Sequence, residues 1–142
     1  MLLDRVFYHA RVQATSGRDS RAVSSDGRLD VPLTTPRALG GNGGHWTNPE
    51  QLFAAAYAAS FLWALQYIAA CDTLTLPLGL WVEGTVGIGP IAQGLGIEGS
   101  LCRILPILKR RASFMRAHMI CPYSNTTRGN IAVRLVLVSS HA

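Results

Sequence analysis

Apolar and polar positions near the start of the chain predict a small antiparallel sheet. Strand-like runs cover residues 6–15, 21–24 and 29–33, and the turn pairs Ser16-Gly17 and Asp26-Gly27 separate them. An Asp-Gly pair is a strong hairpin signal because both residues tolerate the positive φ angles of a tight turn. We therefore expect the three runs to pair as neighbours.

One long apolar segment follows a glycine-rich stretch at residues 39–44, which predicts a loop with positive φ angles or close backbone approach. No Gly-Lys-Ser/Thr sequence follows these glycines, so they are not a phosphate-binding P-loop. Asn48 predicts a helix cap, with Pro49 in the first turn and Gln51 in a capping box. The helix should run to about Ala70 and, being apolar on nearly every face, should be buried on all sides.

The second half of the chain predicts two strands, a helix and a closing strand. These elements cover residues 80–88, 95–104, 106–120 and 131–138. Gly89-Pro90 is the expected turn between the two strands, and Pro122 disfavours a helical conformation at Cys121, which ends the helix. The order βββ–α–ββ–α–β predicts an α+β fold, and a length of 142 residues suits one domain spanning residues 1–142.

Composition adds a prediction about assembly. The chain is 49% hydrophobic and only 15% charged, and its mean hydropathy is +0.22. A soluble chain with so few charges often buries apolar surface against a second copy, so a homodimer is expected. The apolar run at residues 52–70 has the length of a membrane span, but polar side chains such as Ser60 and Gln66 favour a core helix. Since no signal peptide is evident, a cytoplasmic protein is expected.

The net charge of +5 comes largely from basic residues in the second half of the chain. These are Arg103, Lys109, Arg110, Arg111 and Arg116. A solvated helix face explains them as well as an anionic partner does, and the aromatic series of a base-stacking platform is missing. We therefore expect neither nucleic acid nor a membrane as a partner. The odd cysteine count argues against a disulfide scaffold and the spacings match no zinc pattern, so no metal and no cofactor are expected.

Three motifs in order along the chain resemble one protein family. They are Gly17-Arg18-Asp19 with residues 22–27, Gly43-Gly44 with residues 47–55, and Cys-Pro-Tyr-Ser-Asn at 121–125 with residues 127–130. Together they resemble the Ohr branch of the OsmC superfamily, the organic hydroperoxide resistance proteins, over all but about residues 98–117. The resemblance implies an OsmC/Ohr-like fold, with two antiparallel sheet segments around a long buried central helix. It also implies an intertwined homodimer with sites at the interface.

The activity implied by the resemblance is a thiol peroxidase that reduces organic and fatty-acid hydroperoxides to alcohols. Such a protein uses a peroxidatic and a resolving cysteine with an assisting Arg and Glu, and lipoylated proteins or dihydrolipoamide reduce it again. Matched motif by motif, Cys121 is the resolving position, Arg18 the arginine and Glu50 the glutamate. The peroxidatic position is occupied by Ser60.

The chemistry explains why these residue types are needed. A thiolate attacks the peroxide bond, a nearby guanidinium favours that thiolate, and a carboxylate can hold the guanidinium in place. The resulting sulfenic acid is captured by a second cysteine as a disulfide. Apolar side chains would select alkyl hydroperoxides over hydrogen peroxide, and the candidate lining residues are Phe53, Phe61 and Leu62.

Ser60 departs from this pattern, because a serine hydroxyl is not ionised near neutral pH and has no sulfenic-acid step. The chain as written should therefore not turn over hydroperoxides. Three explanations are open: an introduced Cys-to-Ser substitution, a natural paralogue that binds oxidised lipids or fatty acids without turnover, or Cys121 acting alone. Trp63 stands where the family usually has a small residue, and Trp46 departs in the same way.

Spacing adds three smaller expectations. Glu50 and Ser60 are ten residues apart on one predicted helix, about 15 Å along its axis. Either Glu50 bends back from a frayed first turn or a partner subunit supplies it to the site of Ser60, and we expect the partner. His118, three residues before Cys121, should be an ordinary packing residue. Cys71 and Cys102 match no position of the family motifs and should be inert.

Overall fold

The computed structural model describes residues 1–104 and 111–137, with side chains of all these residues except 100–104, 111 and 137. The contacts divide the chain into two compact units, Met1–Leu52 and Phe53 onward. The expectation of a single domain stays a prediction.

The first unit contains a three-stranded antiparallel sheet, as the alternating pattern predicts. Its strands β1 (Val12–Thr15), β2 (Arg21–Ser24) and β3 (Asp30–Pro32) are arranged in sequence order. The predicted turn at Asp26-Gly27 is confirmed, with Gly27 at φ 70°. The strand predicted over residues 6–15 is too long, because residues 6–11 pair with no strand in the described chain. Alternation alone does not make a strand without a partner to accept its backbone hydrogen bonds.

The predicted glycine loop and helix cap are both confirmed. Gly40 and Gly43 have φ angles of 83° and 65°. Residues other than glycine rarely adopt such angles. A short 3₁₀ turn, Arg37–Leu39, precedes the glycines. The Asn48 side chain accepts a 2.9 Å hydrogen bond from the backbone N–H of Gln51. Half of the predicted capping box is absent, because the Gln51 side chain accepts a hydrogen bond from the Thr47 hydroxyl instead.

The long helix α1 covers Pro49–Cys71. Its buried residues share one side of the helix and form most of the core of the second unit. They are Tyr57, Phe61, Ala64, Leu65, Ile68 and Ala69. By length and composition alone, with a mean hydropathy of 1.5, α1 could also cross a membrane.

The sequence predicts burial of α1 on all sides, but within a single subunit only one side is buried. Side chains on the opposite face are exposed at spacings of three to four residues, which form one stripe along a helix. They are Ala55, Ala59, Trp63, Gln66, Tyr67 and Ala70. The sequence pattern did not distinguish the covered face from this uncovered one because both are apolar.

The second unit contains a mixed three-stranded sheet. Its strands are β4 (Val82–Ile91), β5 (Gly94–Ile104) and β6 (Val133–Leu137). β4 and β5 pair in antiparallel fashion, whereas β6 lies parallel to β5, so this segment is not wholly antiparallel. Gly84 of β4 faces α1 closely, and a Cβ atom there would lie 2.7 Å from the carbonyl oxygen of Ala54.

The predicted turn at Gly89-Pro90 is wrong. Both residues belong to the β4–β5 ladder, and the chain turns at Ala92-Gln93 instead. β4 is an edge strand of the described sheet, where a proline without an N–H group is tolerated. The positive φ angle that the hairpin needs, 134°, belongs to Gly94.

Two helices follow the sheet, α2 (Arg111–Ile120) and α3 (Pro122–Thr127). The predicted helix end at Ile120 is confirmed, and the part of that prediction over residues 106–110 lies outside the described residues. The short helix α3 was not predicted. Cys121 joins the two helices in an extended conformation with ψ 123°, as expected for a residue that precedes proline.

Candidate functional site

Cys121 lies in the core of the second unit, opposite the central helix. Its side chain has 0% exposure, and its Sγ lies 3.8 Å from the Oγ of Ser60. Ser60 is half-buried on α1. The positions expected to be the peroxidatic and resolving residues, 60 and 121, are therefore neighbours. The extended link between α2 and α3 directs Cys121 toward α1.

Arg18 and Glu50 are brought together in the first unit. Two guanidinium nitrogens of Arg18 donate to the two carboxylate oxygens of Glu50, at 3.1 and 2.7 Å. The side chains are 37% and 12% exposed, so Glu50 is the better buried partner. The hydrogen bond from Arg18 is the main cause that holds the pKa of Glu50 below its ordinary value. This bidentate geometry fixes the orientation of the guanidinium plane.

The loop that carries Arg18 is fixed by its neighbour Asp19. The Asp19 carboxylate accepts hydrogen bonds from the backbone N–H of Thr35 at 2.6 Å and from its hydroxyl at 3.0 Å. Ser16 and Gly17 precede Arg18 with φ angles of 51° and 73°. The turn predicted from the sequence therefore has a structural role, since it places Arg18 at Glu50.

A chain of buried hydroxyl groups surrounds the Cys121 corner. The Ser124 Oγ lies 3.1 Å from the Tyr57 hydroxyl and 2.8 Å from the Nδ1 of His118. The Tyr57 hydroxyl also lies 3.3 Å from the Oγ1 of Thr127. Burial, together with the charge of Arg128, lowers the pKa of His118 below its ordinary value. Both effects favour the neutral form of the His118 imidazole.

The predicted lining residues have different environments. Phe61 has 0% exposure and packs edge-on against Phe114, with ring centroids 5.2 Å apart. Its surface is already covered by the chain, which makes it a core residue. Phe53 and Leu62 are half-buried, and Phe53 makes edge-on contacts with Tyr57 and Tyr123.

The remaining candidates lie outside these two pairs. Trp63 is 53% exposed and stacks on Tyr67 at 5.7 Å on the uncovered face of α1. Trp46 is exposed, as is Cys71, while the side chain of Cys102 lies outside the described residues. Within the described part of the chain, no group of three His, Cys, Asp or Glu side chains could hold a metal ion.

Comparisons with known proteins decide the family. No protein-family model matches the chain. An organic hydroperoxide resistance protein of Xanthomonas axonopodis pv. citri is 50% identical over 137 residues, which cover 94% of this chain and 96% of the relative. The chain belongs to the organic hydroperoxide resistance protein family.

Two solved structures of that family share its fold. The protein of Elizabethkingia anophelis matches with a TM-score of 0.87 and 35% identity, over 96% of this chain and 99% of that one. OhrB of Bacillus subtilis matches with a TM-score of 0.81 and 35% identity, over 94% and 100%. The family resemblance and the α+β fold class predicted from the sequence are therefore confirmed.

The sequence motifs indicated Arg18, Glu50, Ser60 and Cys121 as site residues, but they did not indicate the chain of buried hydroxyl groups. Tyr57 and Ser124 looked like a core aromatic and a motif serine, and His118 like a packing residue. One feature of the sequence could have indicated the Tyr57–Ser124 contact. Tyr57 lies three residues before Ser60, and Ser124 lies three residues after Cys121.

Proposed function

We propose that the chain has the scaffold of an organic hydroperoxide reductase in which positions 60 and 121 are the redox pair. The observation that carries this proposal is the 3.8 Å approach of the Cys121 Sγ to the Ser60 Oγ. Membership of a family whose proteins are named for organic hydroperoxide resistance supports a role in peroxide detoxification. A cytoplasmic location agrees with a thiol-dependent reaction.

The complete reaction needs a cysteine at position 60. Its thiolate would attack the distal peroxide oxygen and break the O–O bond, becoming a sulfenic acid, while the departing alkoxide takes up the proton that the thiol gave up and leaves as the alcohol. The Cys121 thiol would then displace water from that sulfur to form the disulfide. Two thiols of a dihydrolipoyl group would reduce this disulfide and become oxidised themselves.

Arg18 and Glu50 would act on charge rather than on bond formation. A guanidinium near the reacting sulfur favours the thiolate and attracts the peroxide oxygens. Glu50 occupies two of the Arg18 nitrogens in a bidentate pair, so it restricts the directions in which the remaining N–H groups can donate. This arrangement supports Glu50 as the residue that orients Arg18.

Ser60 makes the chain as written inactive in this scheme. The buried position of Cys121, with 0% exposure, also counts against the explanation that Cys121 reduces peroxides alone. A second candidate function follows from Ser60 itself: a paralogue that binds oxidised lipids or fatty acids without turnover. The half-buried Phe53 and Leu62 are apolar candidates for contact with such a chain.

A homodimer belongs to the same proposal. The uncovered stripe on α1 presents Trp63 and Tyr67 as stacked aromatic rings, 53% and 52% exposed, and exposed apolar patches of this kind often mark interfaces. Glu50 and Ser60 are ten residues apart on the unbroken helix α1, about 15 Å of helical rise. This spacing supports the supply of Glu50 by the partner subunit. Sedimentation equilibrium should give a dimer, and a monomer at micromolar concentration would count against this part.

Turnover of an organic hydroperoxide with dihydrolipoamide tests the proposal. The chain as given should show no turnover, whereas Ser60→Cys should become active. The double variant Ser60→Cys/Cys121→Ser is the matched control and should lose turnover while still consuming one equivalent of peroxide. If Ser60→Cys stays inactive while folded, the proposed activity is wrong, and fatty-acid or lipid-hydroperoxide binding to the unaltered chain then becomes the measurement of choice.

A further inference from the structure

Two contacts between α1 and the Cys121 corner are one helical turn apart. Tyr57 and Ser60 are three residues apart on α1, so they lie on the same face. Cys121 and Ser124 show the same spacing across the start of α3. Ser60 faces Cys121 at 3.8 Å, and Tyr57 faces Ser124 at 3.1 Å. The second contact therefore fixes the register in which the first one is made.

Apart from its packing in the core, the sulfur of Cys121 has little to hold it. Among the described residues its one hydrogen-bond contact is the long approach to Ser60, and its backbone is a single-residue link between two helices. Formation of a disulfide requires Cα atoms roughly 4.4–6.8 Å apart, with correctly directed Cβ atoms. The position of α3 relative to α1 therefore decides whether the two side chains can bond.

Each hydroxyl hydrogen has its own acceptor if the hydrogen bonds run from His118 toward Thr127. Thr127 donates its hydrogen to a backbone carbonyl, that of Tyr123 at 3.0 Å or of Ser124 at 3.2 Å. Its Oγ1 can then only accept from the Tyr57 hydroxyl. Tyr57 in turn accepts from Ser124, and Ser124 accepts from the Nδ1–H of His118. The opposite direction, in which Tyr57 donates to Ser124 and Ser124 donates to an unprotonated Nδ1 of His118, satisfies the same hydroxyls, and the heavy-atom positions fit both.

His118 ties the chain of hydroxyls to α2. Its backbone carbonyl accepts a 2.8 Å hydrogen bond from the Arg128 guanidinium, while its ring bonds Ser124 of α3. None of the described buried side-chain polar atoms lacks a partner. Because loss of one member leaves its partner unpaired in a buried place, displacement of α3 from α1 costs free energy.

We infer that Tyr57, Ser124 and His118 are positioning residues that hold Cys121 against position 60. They act through the placement of α3, and among the described residues the hydrogen-bond contact of the Cys121 sulfur is with Ser60 and not with any of them. The inference rests on the proposed function in one respect, namely that positions 60 and 121 are meant to form a disulfide.

The test uses the Ser60→Cys chain in glutathione redox buffers, without any peroxide. One glutathione disulfide oxidises the two thiols, giving the 60–121 disulfide and two glutathione thiols. The equilibrium yields the effective concentration of one thiol at the other. Tyr57→Phe and Ser124→Ala should each lower this effective concentration about three- to tenfold, as expected for the loss of one hydrogen bond. Ser124→Thr, which keeps the hydroxyl, should restore most of it.

Tyr123→Phe is the matched control. Tyr123 stacks on Tyr57 with ring centroids 5.6 Å apart, and its hydroxyl makes no hydrogen bond among the described residues. Removal of this hydroxyl should leave the effective concentration unchanged. A merely structural role would destabilise dithiol and disulfide forms equally, so it would lower the free energy of unfolding without a change in effective concentration.

Three results would overturn the inference. The first is an unchanged effective concentration in Tyr57→Phe, which keeps the aromatic packing and so should fold even if Ser124→Ala does not. The second is an equal loss in Tyr123→Phe. The third is failure of the Ser60→Cys parent to form the 60–121 disulfide at all. A parent that forms this disulfide but reduces no hydroperoxide would instead refute the proposed function and leave the positioning role intact.

Discussion

The Arg18–Glu50 pair and the Ser60–Cys121 pair are held by different forces. Arg18 is 37% exposed and is bound to Glu50 by two charge-assisted hydrogen bonds at the start of α1. Cys121 has 0% exposure and owes its place to packing and to neutral hydroxyl contacts. The ionic pair can adjust in solvent, whereas the buried pair depends on the core around it. Substitutions in the two regions should therefore lower the free energy of unfolding by different amounts, and acid should weaken the two regions at different pH values.

The largest loss of stability is expected from a substitution in the core next to Ser60. Phe61→Ala removes a fully buried ring that packs against Phe114, and it should lower the free energy of unfolding by about 3–5 kcal/mol. Urea denaturation followed by circular dichroism measures this loss. Leu78→Ala, at a fully exposed leucine, is the control and should stay within about 0.5 kcal/mol of the unaltered chain. A loss below about 1 kcal/mol for Phe61→Ala would show that this core is not tightly packed.

Acid should weaken the two regions in different pH windows. Burial lowers the pKa of His118 below its ordinary 6.5 in the folded chain, so the unfolded chain binds the proton first as the pH falls. Stability should thus drop below about pH 6.5 and level off once the folded pKa is passed. The pKa of Glu50 is lowered from 4.5, and its stabilising contribution is present above that value and lost as the pH falls through the folded pKa.

Urea denaturation at a series of pH values separates these windows. His118→Gln should remove the decline that begins near the ordinary histidine value of 6.5, and it should leave the decline below the ordinary glutamate value of 4.5 in place. The same slope near pH 6 in His118→Gln and in the unaltered chain would contradict the assignment of that window to His118.

The smallest loss of stability is expected from disruption of the Arg18–Glu50 ion pair. Glu50→Gln keeps the shape of the side chain but removes its charge, and it should lower stability by about 0.2–1 kcal/mol. Asp30→Asn, which disrupts the more exposed Arg21–Asp30 pair in the same unit, is the matched control and should cost less. High salt should reduce the cost of both substitutions, and proportionally more for the more exposed Arg21–Asp30 pair. A larger loss of stability in Asp30→Asn than in Glu50→Gln would show that the more buried ion pair is not the more stabilising one.

Local sequence signals predicted those elements whose cause is local. β2, the turn at Asp26-Gly27 and the Asn48 cap each depend on a few adjacent residues, and the structure confirms them. The Gly89-Pro90 turn failed because an edge strand tolerates the proline and Gly94 supplies the positive φ angle. Turn-type residues therefore predict a turn only where the ladder ends.

The long-range part of the site was less visible in the sequence. The motifs pointed to Arg18, Glu50 and Cys121, but nothing local showed that Tyr57 meets Ser124 across 67 positions of the chain. The apolar pattern of α1 likewise did not indicate which face is uncovered, since alanines and aromatic residues occupy both. Such features depend on the packing of distant elements, which hydrophobic periodicity does not encode.

Whether positions 60 and 121 form a peroxide-driven redox pair can be measured from the mass of Ser60→Cys protein after one equivalent of organic hydroperoxide. We expect rapid loss of two hydrogen atoms, release of one equivalent of alcohol, and a peptide that links positions 60 and 121. Unaltered mass with no alcohol released would contradict this expectation, as would an oxygen adduct on residue 60 that Cys121 never resolves.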